Sequence, residues 1–170
     1  MTAARGGIST GKYFGTDGFR GRVGEEIDSR QAFLVGRFLG WYYLSRGGKC
    51  RVVIGKDTRL SSYTLEYALA AGITASGGDA YIMHVTTTPS VSFVTRCDGF
   101  DCGVMISASH NPYSDNGIKL VNGRGEKLER GVLGLIERYL DGARDFCSGG
   151  DLPLASGERV GRTVDYIAGR

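Results

Sequence analysis

Apolar residues change their spacing several times along the chain, and each change marks an element. Tyr13-Phe14 opens the segment Y-F-G-T-D-G-F-R-G-R-V-G, whose four glycines bend it repeatedly. Ala32, Val35, Phe38, Leu39 and Tyr42 then recur at helical spacing. Asp28 with Gln31 three residues on is a capping-box pattern, and Gly47-Gly48 stop the helix. Arg51 to Gly55 reads as a strand, followed by the polar turn K-D-T-R. A second helix carries Leu65, Ala68, Leu69, Gly72 and Ile73 on one face. Ser61 or Ser62 is its expected cap, and Gly77-Gly78 end it. Ala80 to Val85 is another strand. Thr88 is expected to cap, and Pro89 to open, a short helix reaching about Arg96.

The most uneven stretch is G-V-M-I-S-A-S-H-N-P-Y-S-D-N-G-I-K-L-V, residues 103–121. Val104-Met105-Ile106 has the length and type of a buried strand. Ser107, Ser109, His110, Asn111 and Asp115 then crowd together. Asn116-Gly117 is the strongest short-range turn signal, and Ile118-Lys119-Leu120-Val121 returns as a strand. A last helix from about Leu128 to Leu140 shows Leu128, Val132, Leu135, Ile136 and Tyr139 as its stripe.

The pattern β-α-β-α-β-α-β-β-α predicts an α/β domain with a mostly parallel sheet. The tight return at Asn116-Gly117 makes one pairing antiparallel, so the sheet is expected to be mixed. Residues 1–11 read as a flexible leader, 12–142 as the α/β domain and 143–170 as an exit segment.

Composition narrows the function classes. The length of 170 residues suits one domain with a real core. A net charge of +3, with scattered basic residues, is too mild to argue for nucleic acid. No window approaches the 18 or so apolar residues of a membrane span. The N-terminus M-T-A-A-R-G-G-I-S-T-G-K lacks an apolar h-region, so it is not expected to be a signal peptide. Cys50, Cys97, Cys102 and Cys147 form no C-x-x-C pair and have no histidine at metal spacing. Reduced thiols in a cytoplasmic protein are the expectation.

The candidate chemistry sits at strand ends. Ser109 lies past the carboxyl end of a strand, where open α/β sheets place ligands. His110 is adjacent, but neighbouring side chains diverge, and the G-x-S-x-G elbow is absent. A serine that accepts and returns a phosphoryl group needs positive charge, donors around the phosphate and a proton shuttle. Lys119 across the turn can supply charge and a proton, and His110 can supply a donor. The residues alone fit equally well a loop in which Ser109 and Asn111 merely shape a turn. Arg20 in its glycine-rich bend fits bidentate phosphate binding or a plain surface arginine. Thr16 and Asp17 lie on backbone that a ligand can approach closely. Asp57 and Arg59 fit cleft lining or mutual pairing, and His84 in its apolar strand reads as structural. Gly6-x-x-x-x-Gly11-Lys12 is close to a phosphate-binding P-loop, but Tyr13 follows and no strand precedes it.

At these residues the sequence resembles the α-D-phosphohexomutases. S-A-S-H-N-P-Y-S-D-N-G-I-K is similar to that family's phosphoserine loop. F-G-T-D-G-F-R-G-R-V-G and V-I-G-K-D-T-R-L-S-S resemble motifs of its phosphoglucosamine mutase branch. The resemblance implies a three-layer α/β/α first domain. It implies that Ser109 carries the phosphoryl group and contacts magnesium, and that Lys119 is the general acid/base. Under it His110 and Arg20 assist binding and proton transfer, while Thr16, Asp17 and Asn111 bind substrate. The implied substrate is a hexose or hexosamine phosphate. The implied reaction interconverts glucosamine 6-phosphate and glucosamine 1-phosphate through a bisphosphate, for cell-wall precursor synthesis. A phosphoglucomutase/phosphomannomutase, or a free-standing domain without catalysis, are the alternatives. The family's D-G-D-x-D-R magnesium loop, G-E-M-S-G sugar loop and R-x-S-G-T phosphate loop are absent from these residues. The chain is therefore expected to be one domain of a longer enzyme, with magnesium completed from elsewhere and the remaining domains as its partners.

Overall fold

The computed structural model describes residues 11–166, so most of the expected leader and the last four residues lie outside the described region. Seven strands form one sheet in the order β1-β2-β6-β5-β3-β4-β7. In chain order the elements are β1 (Phe14–Gly15), β2 (Gly18–Arg22), α1 (Ser29–Gly47), β3 (Arg51–Lys56) and α2 (Ser61–Ala75). They continue with β4 (Asp79–Val85), α3 (Thr88–Cys97), β5 (Cys102–Ile106), β6 (Asp115–Asn122), α4 (Arg130–Leu140) and β7 (Thr163–Asp165). The strands β5, β3, β4 and β7 run parallel, and β1, β2 and β6 add to β5 by antiparallel pairing. The expected mixed sheet is present.

Alternation along the central strands builds two cores. On one face Val52, Ile54, Val104, Ile106, Ile118 and Leu120 join apolar residues of α1, α2 and α4. On the other, Val53, Met83 and Met105 pack with Val91 and Val94 of α3. Helices on both faces give three layers, and this is why β3 and β5 read as continuous apolar runs. The seam between α1 and α2 depends on close approach. A Cβ on Gly72 would lie 2.1 Å from the Phe33 carbonyl oxygen, so only glycine fits there.

Helix α1 starts as its capping box predicts. The Asp28 carboxylate accepts from the Gln31 amide at 2.8 Å, and the Gln31 side chain accepts from the Asp28 amide at 2.9 Å. Gly48 ends it in the left-handed conformation, φ 78°. Three local expectations are corrected. Neither Ser61 nor Ser62 caps α2: Leu60 occupies that position with helical dihedrals, and both serine hydroxyls accept from Asn116 instead. Helix α3 is capped by Thr87 rather than Thr88, because Thr87 is extended and its hydroxyl accepts from the Ser90 amide.

The third correction is Asn116-Gly117. These residues form the start of β6, not the turn. A two-residue hairpin turn of that kind needs positive φ at both positions, and neither residue has it. Asn116 is fully buried and spends its amide on Ser61 and Ser62. The chain reverses earlier, between Ser107 and Ser114, and the left-handed residue there is Ser109, φ 58°. The other non-glycine residue with positive φ is His84, where β4 slips register against β3 between Ile54 and Lys56. No helix among the described residues is long and apolar enough to cross a membrane.

Candidate active site

The site is assembled where β2, β3, β5 and β6 meet. In the register of β2 against β6, Arg20 faces Gly117, and Lys119 lies two residues further along β6. Strand side chains alternate, so Arg20 and Lys119 share the face of the sheet that α3 covers elsewhere. Met105, the partner of Lys119 across β5, packs against α3 on that face. Glycine makes room there: a Cβ on Gly117 would lie 2.8 Å from Cγ of Arg20. Both long side chains therefore lie across the strands beyond the end of α3's cover.

The loop after β5 carries Ser109, His110 and Asn111. Ala108, fully buried, roots it, while Ser109 and His110 are exposed. The Ser109 amide donates to Ser107 Oγ at 3.0 Å, and the Asn111 amide donates to the Ala108 carbonyl at 3.1 Å. Asn111 Nδ2 donates to Asp115 at 3.0 Å, and its Oδ1 accepts from Arg20 Nη1 at 3.4 Å. Arg20 also lies 3.9 Å from Asp17, and its buried Nε has no partner among the described residues.

Electrostatics single out Lys119. Partial burial, then the Arg20 charge, pull its ammonium below the ordinary lysine range, against the opposing pull of Asp17 and Asp57. An amine shifted this way gives up and regains a proton closer to neutrality than a free lysine does.

Of the seven residues singled out in the sequence, Arg20, Asn111, Asp17 and Lys119 interact at this end of the sheet. Ser109 and His110 stand exposed in the same loop as Asn111. Thr16 is exposed in the β1–β2 turn, and its carbonyl accepts from Lys127 Nζ at 2.9 Å.

Three contributors carry no strong sequence signal. Arg59 pairs with Asp57 and also lines the loop: its Nη2 donates to the Ser109 carbonyl at 3.1 Å and to the Asn111 carbonyl at 2.8 Å. Ser107 accepts from the Ser109 amide. Burial pushes the Asp57 carboxyl up. Hydrogen bonds from Ser62, the Arg59 amide and Ser107, with the Arg59 charge, outweigh it and hold the group below its usual range. The cue that was available is the D-x-R spacing just past a strand's carboxyl end.

The fold matches that of known proteins. The phosphoglucomutase/phosphomannomutase alpha/beta/alpha domain I profile matches residues 11–145. A phosphoglucosamine mutase of Lachnospira eligens is 60% identical over 162 residues, which are 94% of this chain and 35% of that protein. A phosphoglucosamine mutase of Lachnoclostridium phytofermentans is 59% identical over 160 residues, 94% of this chain and 34% of that protein. The crystal structure of a phosphoglucomutase/phosphomannomutase family protein from Burkholderia thailandensis superposes with a TM-score of 0.71 at 28% identity. It covers 91% of this chain and 33% of that one. The chain thus spans about a third of the length of these relatives. With the three-layer fold and the domain profile in agreement, the chain belongs to the phosphoglucomutase/phosphomannomutase family, as its α/β/α domain I.

Proposed function

We propose that this domain carries the phosphoryl group of a phosphoglucosamine mutase on Ser109. The observation that carries the reading is Ser109 itself. It is an exposed, left-handed serine just past the carboxyl end of β5, in the loop whose Asn111 side chain accepts from Arg20, and the Arg20 charge in turn acts on Lys119. Backbone outliers of this kind concentrate where a side chain must be presented to a ligand. In the forward half-reaction the phosphoserine P–O bond breaks and a P–O bond to the sugar hydroxyl forms. The hydroxyl proton leaves, and the Ser109 oxygen gains one. The return half-reaction uses the other phosphate of the bisphosphate. Lys119, with its lowered proton affinity, is the group that moves the proton. Arg20 offers its Nε–H, which has no partner among the described residues, to a phosphate oxygen, and Asn111 orients it from the loop side. His110, Thr16 and Asp17 border the sugar.

Magnesium is a separate matter. No group of three or more His, Cys, Asp or Glu side chains among the described residues can hold a metal. These residues therefore do not make a magnesium site, and Ser109 would contribute a single oxygen to one whose other ligands come from outside this chain. The partners implied are an amino-sugar phosphate and the remaining domains of a longer cytoplasmic enzyme. No nucleic acid or membrane enters this function. The family profile also names phosphoglucomutase and phosphomannomutase, so glucose or mannose phosphate is the second reading.

The test uses the native protein that carries these residues. Incubated with ³²P-labelled sugar bisphosphate, it should take label on the peptide containing Ser109. Ser109→Ala should lose uptake and mutase activity by about three orders of magnitude or more. Label on another residue, or full activity in Ser109→Ala, overturns the reading. The ratio of kcat/KM for glucosamine, glucose and mannose phosphates decides the sugar.

A further inference from the structure

The left-handed conformation of Ser109 needs an explanation that its own side chain does not give. For a residue other than glycine this conformation is sterically disfavoured. It persists only where the surroundings impose it. Both ends of the Ser109 residue are tied. Its N–H goes to Ser107 Oγ at 3.0 Å, and its carbonyl accepts from Arg59 Nη2 at 3.1 Å. The same Nη2 reaches the Asn111 carbonyl at 2.8 Å, so one guanidinium nitrogen spans the two residues flanking His110.

The carbonyl tie leads through Arg59 to one carboxylate. Asp57 pairs with Arg59 through Nη1, accepts from the Arg59 amide at 3.1 Å, and accepts from the Ser62 hydroxyl at 2.8 Å. Asp57 is itself fixed to the sheet, because its amide donates to the Ile106 carbonyl at 2.9 Å. Arg59 and Asp57 are mostly buried, with side-chain exposures of 11% and 19%. In the loop Arg59 touches backbone carbonyls, not the serine hydroxyl.

We propose that Arg59, anchored by Asp57, is a positioning residue that sets the backbone of Ser109 for phosphoryl transfer. This rests on the reading of Ser109 as the phosphoryl carrier. A lysine at position 59 keeps the charge beside Asp57, but it lacks the planar fork that spans Asp57 and two carbonyls at once. That separates positioning from simple charge supply.

The experiment has a conformational and a kinetic arm, both on the native protein that carries this chain. In the first, ¹³C,¹⁵N-serine labelling reads the Cα and Cβ shifts of Ser109, which report its backbone conformation. Arg59→Ala should move them away from left-handed values. In the second, Arg59→Ala should lower kcat by about 100-fold, the cost of a small misplacement of a reacting group. KM should change by less than about threefold, since uniform substrate binding is untouched. Arg59→Lys should stay impaired, and methylguanidinium should restore the alanine variant by about tenfold or more. If Arg59→Ala does not fold, Arg59→Lys carries both arms. Unchanged Ser109 shifts, or wild-type kcat in Arg59→Lys, overturn the proposal. A wild-type protein that takes no phosphate on Ser109 overturns the carrier reading instead, and the conformational arm still decides whether Arg59 holds the loop.

Discussion

Two strand ends meet at the candidate site, and they are built on opposite terms. At the end of β3, Lys56 and Glu66 form an ion pair with side-chain exposures of 1% and 2%. Lys56 Nζ also sits 4.2 Å from the centre of the Tyr63 ring. Asp57 and Arg59 follow, mostly buried and bonded on several sides. At the end of β5, three positions beyond the fully buried Ile106, the loop turns outward with Ser109 and His110 exposed. One end invests its polar groups in each other, and the other turns the Ser109 and His110 side chains out to solvent. The difference teaches how an exposed loop can hold an unfavourable backbone. The neighbouring strand end is over-determined, and it reaches across to fix the loop's carbonyls.

The hardest way to break this contrast is to unpair the buried charges. Lys56→Met keeps most of the side-chain volume but leaves Glu66 buried without its cation. Removing one partner of such a pair costs about 3–5 kcal/mol, because the remaining charge is stranded in a poorly solvating interior. Glu66 Oε1 already lacks a partner among the described residues, so it has little to fall back on. The double variant Lys56→Met with Glu66→Leu should return close to the starting stability, since desolvation of both ions disappears together. Urea unfolding of the three proteins checks this. A single variant within about 1 kcal/mol of the original would show that the β3 end is soft, and that the loop owes its shape to something else.

Asn116 connects the two ends and is the next largest handle. From β6 it donates to Ser61 Oγ and Ser62 Oγ at 2.9 Å each, and its Oδ1 accepts from the Gly117 amide at 2.8 Å. Ser62 in turn donates to Asp57 at 2.8 Å. Asn116→Ala removes three bonds from a fully buried position and leaves the serine hydroxyls to repair themselves. The expected loss is about 2 kcal/mol, the penalty range for stranded buried polar groups. Amide exchange around Ser109 should accelerate with it. A stability loss without faster exchange in the loop would separate α2 docking from loop support.

Asn116 also shows what a sequence does and does not make legible here. Periodicity located all four helices and the strands of the sheet's centre, because each element buries one face or both and repeats accordingly. Capping was legible at Asp28, where both partners are local. It was misleading at Ser61 and Ser62, whose partner is some 55 residues away. Asn116-Gly117 carries a strong local turn preference, yet the buried amide and the approach of Arg20 to Gly117 hold it as strand. Ser109 was visible as a polar residue past a strand, but its left-handed backbone was not, since no glycine or asparagine marks the position. Arg59 was ambiguous for the same reason. Its partners in the loop are carbonyls, and every residue has one.

The smallest effect sharpens the contrast from the functional side. Lys119 is only partly buried, yet burial and Arg20 lower its proton affinity in the fold. Between that lowered value and the ordinary lysine value of about 10.4, the unfolded chain holds more protons than the folded one. Stability must therefore rise with pH across that window, and below it the charged lysine imposes a constant cost on the fold. Lys119→Met removes the cost, so at pH 7 it should stabilise by about 0.5 kcal/mol, the screened worth of a partly exposed charge contact. It should also flatten the rise in stability toward pH 10. Melting curves of both proteins at pH 7 and pH 10 check the sign. A destabilised methionine variant with an unchanged pH slope would mean that Lys119 is a settled structural charge. A stabilised variant that has lost phosphoryl transfer would mean the β5–β6 end gives up stability to keep a proton mobile, while the β3 end keeps its charges locked.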